Sequence, residues 1–140
     1  MKDQNEHTRH NERDDAIDAK MKLTRFEDLD CWQEARIISN RVYDACAGPE
    51  FKKDYSLTDQ TKRAAVSIMA NIAEGFSRKG DKEFIQFLFI SKSSAAELQS
   101  HCYIALDRKY IDQSQFDVLY EKADKVQRQI SNLIKYLRTP

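Results

Sequence analysis

The chain has 140 residues, of which 41% are hydrophobic and 33% are charged, and its formal net charge is zero. This length and apolar content suit one domain with a hydrophobic core, and the neutral charge is not that of a strongly basic nucleic-acid-binding protein. The sequence has no run of 18 apolar residues, so we expect no transmembrane helix, and its polar N-terminus is unlike a secretory signal.

The numbers of glycine, proline and cysteine residues indicate a fold class and a cellular compartment. Three glycines and two prolines leave long stretches without helix breakers, which indicates an all-α protein rather than a turn-rich β-fold. The three cysteines, Cys31, Cys46 and Cys102, are scattered and form no C-x-x-C pair. We therefore expect no disulfide framework and no zinc site, and we expect a cytoplasmic location.

The first 24 residues differ in composition from the rest of the chain. They contain few apolar side chains, so we expect residues 1–24 to be a polar, flexible tail and residues 25–140 to be the folded domain. His7 and His10 are three residues apart and lack further ligands, which makes them a poor metal site. No metal or other cofactor is expected.

Four amphipathic helices are predicted in chain order from apolar residues at spacings of three and four. The first runs from about Leu29 to Cys46 and is stopped by Gly48 and Pro49. The second has Thr58 as its N-cap and extends towards the first of two glycines in the next connection. The third and fourth begin near Asp81 and Ser114.

The third and fourth helices have the most regular apolar stripes. The stripe of the third helix consists of Phe84, Leu88, Ser91, Ala95, Leu98, Cys102 and Ala105. The stripe of the fourth consists of Phe116, Leu119, Ala123, Val126, Ile130, Leu133 and Leu137. Two such seams and short connections predict an antiparallel four-helix bundle in up-down-up-down order.

The third helix also carries apolar residues away from this stripe. A helix that is apolar on several sides is expected to be buried on more than one side, which predicts a subunit interface and a homo-oligomer. The alternative is that the N-terminal segment covers the same residues. The set consists of Ile85, Phe87, Phe89, Ile90 and Ile104.

Gly75 and Gly80 frame the stretch G-F-S-R-K-G-D-K, which is close to the phosphate-binding pattern G-x-x-x-x-G-K-[ST]. A helical rather than a strand period precedes it, Asp81 stands in the place of the motif lysine, and no Ser or Thr follows. We therefore interpret the stretch as a helix–helix turn. Exposed bases in and near it are candidate RNA-phosphate contacts, namely Lys62, Arg63, Arg78, Lys79 and Lys82.

Three blocks of sequence resemble a known family. They are FEDLDCWQEA at 26–35, RAAVSIMANIAEGFSR at 63–78 and EFIQFLFISKSSAAELQSHCYIA at 83–105. They are similar to the bacterial four-helix bundle proteins called intervening-sequence proteins, some of which are encoded within 23S ribosomal RNA genes. This family in turn resembles the accessory variability protein of diversity-generating retroelements.

The resemblance implies an antiparallel bundle that assembles as a homopentamer, without an established catalytic activity and with nucleic-acid binding inferred from genetic context. Met69 stands where members usually have proline, so we expect a straighter second helix. Family positions matched in this chain are Arg63, Asn71, Glu74, Gly75 and Arg78.

Two classes of function remain open at this point. The first is a non-enzymatic oligomeric scaffold that engages RNA or a ribonucleoprotein through the basic residues, and the second is a protein-interaction module without a nucleic-acid role. An enzyme is not expected, because Glu97 and His101 form no Glu-x-x-His pair and Cys102 lies on the core stripe.

Overall fold

Four α-helices account for most of residues 24–140, the part of the chain that this structure, a computed structural model, describes. Short 3₁₀ turns at Phe26–Asp28 and Phe51–Lys53 precede the first and second helices, and residues 24–140 contain no strand. The all-α prediction is therefore confirmed, whereas the predicted tail lies, except for Thr24, outside the described residues. The helices are α1 (Asp30–Cys46), α2 (Tyr55–Phe76), α3 (Asp81–Asp107) and α4 (Gln113–Arg138).

The start of α2 differs from the prediction. Asp54, and not Thr58, is the N-cap, because its side chain accepts a hydrogen bond from the backbone N–H of Leu57 at 3.1 Å. Thr58 lies inside the first turn, where its Oγ1 donates to the carbonyl of Asp54 at 3.0 Å. The second carboxylate oxygen of Asp54 accepts from the hydroxyl of Tyr110 at 3.0 Å, which ties this end of α2 to the α3–α4 connection.

The start of α4 is fixed by a capping box. The side chain of Asp112 accepts from the backbone N–H of Gln115 at 2.8 Å, and the Gln115 side chain accepts from the backbone N–H of Asp112 at 2.9 Å. The α3 helix begins after Gly80 without a side-chain cap, and the acidic Asp81 and Glu83 in its first turn complement the helix dipole.

The four helices form a closed ring in which each contacts the next along the chain and α1 contacts α4. Every residue of the stripe predicted for α3 is buried. The α4 stripe is buried as far as Ile130, beyond which Ile134 is buried and Leu133 and Leu137 are only partly buried. This change follows from the helix repeat, because a 3.6-residue turn drifts by about 20° per heptad from a strict 3, 4 pattern.

A set of small polar side chains lies where α2 packs on α3. Ser91 donates to the carbonyl oxygen of Ile68 at 2.6 Å, and the hydroxyls of Ser67 and Ser94 are 2.8 Å apart. Asn71 donates to the backbone carbonyl of Ser67 at 2.8 Å. These bonds satisfy the hydroxyl groups of Ser67, Ser91 and Ser94 within the contact, and their small volume lets the two helices approach closely.

Gly75 lies at a tight contact between α2 and α3. A Cβ atom on this residue would lie 2.8 Å from both Cδ2 of Phe84 and Cβ of Phe87. No glycine in residues 24–140 has a positive φ angle, so the α2–α3 turn does not use the left-handed backbone conformation that glycine favours. Gly75 is required because it lacks a side chain, and Gly80 would have open space around a Cβ.

Glu34 is the buried acidic side chain of the described core. It projects from α1 towards α4, where Nζ of Lys122 lies 3.3 Å from one of its carboxylate oxygens and Nζ of Lys125 lies 3.4 Å from the other. Lys125 is half exposed, whereas Glu34 is almost fully enclosed. The carboxylate therefore depends on the two ammonium groups, but Lys125 reaches water without it.

The three cysteine thiols lie in the core. Burial raises the pKa of Cys31 and of Cys102 to about 12 and that of Cys46 to about 11. Thiolates are the reactive form, so these groups are poorly reactive near neutral pH in the folded protein.

Replacing Gly75 by alanine is expected to destabilise the bundle by about 1–3 kcal/mol, because the added methyl group overpacks the α2–α3 contact. Gly80→Ala is the matched control and should change stability by less than about 0.5 kcal/mol. Urea unfolding followed by circular dichroism measures both. Equal effects of the two variants would show that close packing at Gly75 is unimportant.

Because Glu34 is buried and Lys125 is half exposed, removing the two lysines should destabilise the protein more than removing the glutamate. The double variant Lys122→Met/Lys125→Met leaves a buried carboxylate without a counter-charge and should lose about 3–5 kcal/mol at pH 7. Glu34→Met leaves lysines that can turn to water and should lose less than half as much. Chemical denaturation at pH 7 gives both values, and a larger loss in Glu34→Met would contradict this account.

Candidate nucleic-acid interface

The α2–α3 turn spans residues 77–80 and carries the central part of the predicted basic surface. Arg78 lies within it, with one guanidinium nitrogen 2.6 Å from Oε1 of Glu74 and its Cζ atom 5.0 Å from the ring centre of Phe87. The ion pair partly balances the charge of Arg78, and the ring contact holds its side chain against α3.

Lys79 and Lys82 are the most available cations of this turn. Both side chains are exposed, and neither makes an ion pair with another residue of the described chain. Lys82 is in the first turn of α3, three residues beyond Lys79. Two solvated ammonium groups on a rigid connection can contact phosphate oxygens without reading sequence.

Lys62 and Arg63 belong to a different part of the surface. Nζ of Lys62 lies 4.9 Å from the ring centre of Tyr43 in α1, and Nε of Arg63 lies 2.9 Å from Oδ2 of Asp59. Lys62 and Arg78 are separated by 16 residues, which corresponds to about 24 Å along a helix axis. Lys62 faces α1, whereas Arg78 packs on α3.

The five candidate residues therefore do not form one patch. The structure places Arg78, Lys79 and Lys82 together at one end of the bundle, and it places Lys62 and Arg63 along α2 with aromatic and acidic partners. The sequence interpretation treated them as one surface because both groups flank the same helix. Their distance along the helix axis separates them.

A further basic segment was missed by the sequence interpretation. The C-terminal half of α4 contains no Asp or Glu from residue 125 to residue 138. Its four bases occur at spacings of three and seven, which would have identified one helix face. They are Lys125, Arg128, Lys135 and Arg138, and all four side chains are exposed.

Tertiary packing brings the end of α4 to the α2–α3 turn. Cζ of Arg138 lies 5.4 Å from the ring centre of Phe89 in α3. A groove at the same end is lined both by Arg78 and Gly80 of the turn and by Leu133 and Leu137 of α4. The turn lysines and the last bases of α4 are thus at one end of the molecule, which we call the basic end: Arg78, Lys79, Lys82, Lys135 and Arg138.

Carboxylates moderate the potential of the basic end. Asp28, Asp30 and Asp81 line the same groove, and Glu74 pairs with Arg78. An anionic ligand at this end would therefore meet a mixed field with local cations rather than a uniformly positive surface.

Glu97, His101 and Cys102, the side chains considered for catalysis in the sequence, all lie on α3. Nε2 of His101 lies 3.2 Å from Oε1 of Glu97 on the same helix, and Cys102 is buried. Within residues 24–140, no three His, Cys, Asp or Glu side chains are grouped as metal ligands. In the same range, no helix has the length and apolar character needed to cross a membrane.

The outward side of α3 exposes the apolar residues expected at a subunit contact. Phe89, Ile90 and Ile104 are 43%, 49% and 46% exposed, respectively. Ile85 and Phe87, the other members of the predicted set, are partly buried within the chain itself. Of the five residues in the second apolar set of α3, three are thus exposed to solvent and two are partly buried within the bundle.

Comparison with solved structures shows the same fold in a protein of low sequence similarity. The crystal structure of a protein of unknown function from the S23 ribosomal protein family of Bacteroides thetaiotaomicron has a TM-score of 0.68 to this chain at 20% sequence identity. The match covers 75% of this chain and 98% of that one. No functionally curated protein gives a significant match.

The sequence profile of one protein family matches the chain over residues 27–132, which include all of α1, α2 and α3 and most of α4. The family is described as the 23S rRNA-intervening sequence proteins. This match covers well over half of the chain, and the solved structure has the same fold. The chain therefore belongs to the 23S rRNA-intervening sequence protein family.

Proposed function

We propose that this protein is a non-enzymatic, cytoplasmic, oligomeric scaffold that binds RNA, with ribosomal RNA or a ribonucleoprotein as its natural partner. The observation that carries the proposal is the meeting of two basic elements at the basic end. The α2–α3 turn contributes Lys79, the first turn of α3 contributes Lys82, and the acid-free half of α4 contributes Lys135 and Arg138. The family to which the chain belongs connects it with 23S ribosomal RNA.

The binding expected from this surface is electrostatic and not sequence-specific. Lysine and arginine side chains that contact backbone phosphates release counterions, so affinity falls steeply as salt rises. The nearby Asp28 and Asp30 and the zero net charge of the chain limit the affinity of one subunit. Several copies of the basic end in one assembly would raise the total affinity through avidity.

We further propose an antiparallel up-down-up-down order and a homopentameric assembly. Side-chain contacts support the order, since residue numbers on paired helices run in opposite directions: Ser91 bonds to Ile68 and Ser94 to Ser67, while Gly75 faces Phe84. The exposed apolar side of α3 supports self-association, and the resemblance to the family suggests five copies.

A protein-interaction module is the second candidate, and the same side of α3 favours it. Phe89, Ile90 and Ile104 offer an apolar contact area whether or not RNA binds. The two candidates differ in what a change of charge does: RNA binding depends on the basic end, whereas apolar assembly does not.

Charge reversal at the turn tests RNA binding. Lys79→Glu/Lys82→Glu should raise the Kd for a fluorescently labelled single-stranded RNA by about tenfold or more in 50 mM salt. The association constant should also become less sensitive to salt, with the negative slope of its logarithm against log salt reduced in magnitude by about one for each lysine. Fluorescence anisotropy measures both. Arg78 is left unchanged because it also packs on Phe87.

Lys52→Glu/Lys53→Glu is the matched control for this experiment. These exposed lysines lie in the α1–α2 connection, which the 22-residue α2 separates from the turn, and they undergo the same change of charge. The control should weaken RNA binding less than about threefold. Equal losses in both variants, or no RNA binding by the wild type in 50 mM salt, would reject the proposed RNA role.

Assembly is tested by native mass spectrometry of the purified protein, with and without ribonuclease. We expect a pentamer that is dissociated by Ile104→Asp, because this change places a charge on the exposed apolar side of α3. Asn40→Asp, at an exposed position of α1, is the control and should leave the pentamer intact. A monomeric wild type would contradict the oligomeric scaffold.

A further inference from the structure

The side of the bundle formed by α1 and α2 carries basic side chains that lie over aromatic rings. Nζ of Lys62 in α2 lies 4.9 Å from the ring centre of Tyr43, and Cζ of Arg36 lies 5.9 Å from the ring centre of Trp32. Trp32, Arg36 and Tyr43 occur at spacings of four and seven in α1, which places them on one face of that helix. We call these four residues the aromatic strip.

The aromatic strip follows the contact between α1 and α2. Oγ of Ser39, which lies on the same face of α1, donates to the carbonyl oxygen of Ala65 in α2 at 3.3 Å. Beside this contact Tyr43 is 49% exposed and Arg36 is exposed, whereas Trp32 is partly buried. The packed helices hold the two rings of the strip about 16 Å apart along the α1 axis.

The acidic side chains of this part of the bundle are engaged elsewhere. Glu34 pairs with lysines of α4, and Asp30 and Asp44 line concave surfaces that α1 shares with α4. The α2 helix contains no Asp or Glu from residue 60 to residue 73. Asp59, which precedes that stretch, pairs with Arg63.

The two cations of the strip are therefore not balanced by carboxylates. Among residues 24–140, neither Arg36 nor Lys62 takes part in an ion pair. A contact between a cation and an aromatic ring is weak where it is open to water. The charged groups can turn to a phosphate oxygen while a ring accepts a stacked base, and this combination is the one that binds single-stranded nucleic acid.

We propose that the aromatic strip binds single-stranded RNA, with one base stacked on Tyr43, another against Trp32, and phosphates contacted by Lys62 and Arg36. Bases in a duplex are paired and stacked on one another, so they are not open to a side-chain ring. The inference rests on the proposed RNA-binding function, and it adds a single-stranded region as the kind of RNA that is bound and a contact surface beyond the basic end.

Trp32 is the only tryptophan of the chain, so its fluorescence reports on the strip. A single-stranded oligoadenylate of about twelve nucleotides should quench this emission as it binds in about 50 mM salt, because a stacked base contacts the indole ring. A fully paired RNA duplex of the same length offers phosphates without open base faces and should leave the emission unchanged.

Tyr43→Ala separates stacking from charge. It should raise the Kd of the labelled single strand by about fivefold or more, and that of the duplex by less than about twofold, as measured by fluorescence anisotropy. Tyr43→Phe keeps the ring and should bind as the wild type does. Tyr103→Ala is the matched control, because Tyr103 is 50% exposed and packs on Phe116 of α4, and it should change neither Kd. Circular dichroism verifies that each variant is folded.

The outcomes decide the proposal in either direction. Quenching of Trp32 by the single strand, together with a loss in Tyr43→Ala that spares the duplex, supports it. Single-stranded RNA that binds without changing the Trp32 emission, or equal Kd values for Tyr43→Ala and Tyr103→Ala, overturns it and leaves the RNA-binding scaffold intact. Failure of the wild type to bind any RNA rejects the proposed function as well. A Tyr43→Ala protein of lower oligomeric mass in native mass spectrometry also overturns the inference, because the strip would then be a subunit contact.

Discussion

The close approach of α2 and α3 is the constraint on which the rest of this structure depends. Gly75 lacks the side chain that would collide with Phe84 and Phe87, and Ser91 bonds across the same contact to the carbonyl of Ile68. With these small groups in place, two long helices lie against each other along their length. The turn between them is therefore short, and its cations are held in a fixed position relative to α3.

The position of this turn determines the chemistry of one end of the bundle. Arg78 is held by Glu74 and by the ring of Phe87, so its neighbours Lys79 and Lys82 project from a rigid base. The last turns of α4 reach the same end because the ring of four helices closes between α4 and α1. A chain with no net charge thus acquires a local concentration of cations, with apolar walls and carboxylates beside them. This mixture suits salt-sensitive contacts better than tight, sequence-specific recognition.

Between α1 and α4, in contrast, charged side chains pair inside the bundle. Glu34 is enclosed and meets two lysines of α4, so this helix pair is joined partly by ion pairing rather than by apolar packing alone. The basic residues of α4 therefore have two different roles. Lys122 and Lys125 stabilise a buried carboxylate, and the bases that follow them face solvent. The basic residues of α4 follow one another in the sequence, but the packing directs two of them to a buried carboxylate and leaves the later ones in solvent.

The sequence by itself determined the helical class, the four helices and the whole buried stripe of α3, because burial in a helix repeats every three or four residues and leaves a readable pattern. It also carried the family resemblance, which the match over residues 27–132 confirms. It misplaced the cap of α2, since Asp54 and Thr58 are both good capping residues and only the bond to Tyr110 adds a reason to prefer Asp54. The tertiary structure alone decided which cations share a surface. Lys62 lies on α2 and Arg78 follows the end of that helix, about 24 Å away along its axis, whereas Arg138 is far along the chain from Phe89 and lies over its ring. Local periodicity can be recognised from neighbouring residues, whereas contacts between distant segments depend on how the packed helices are arranged in space.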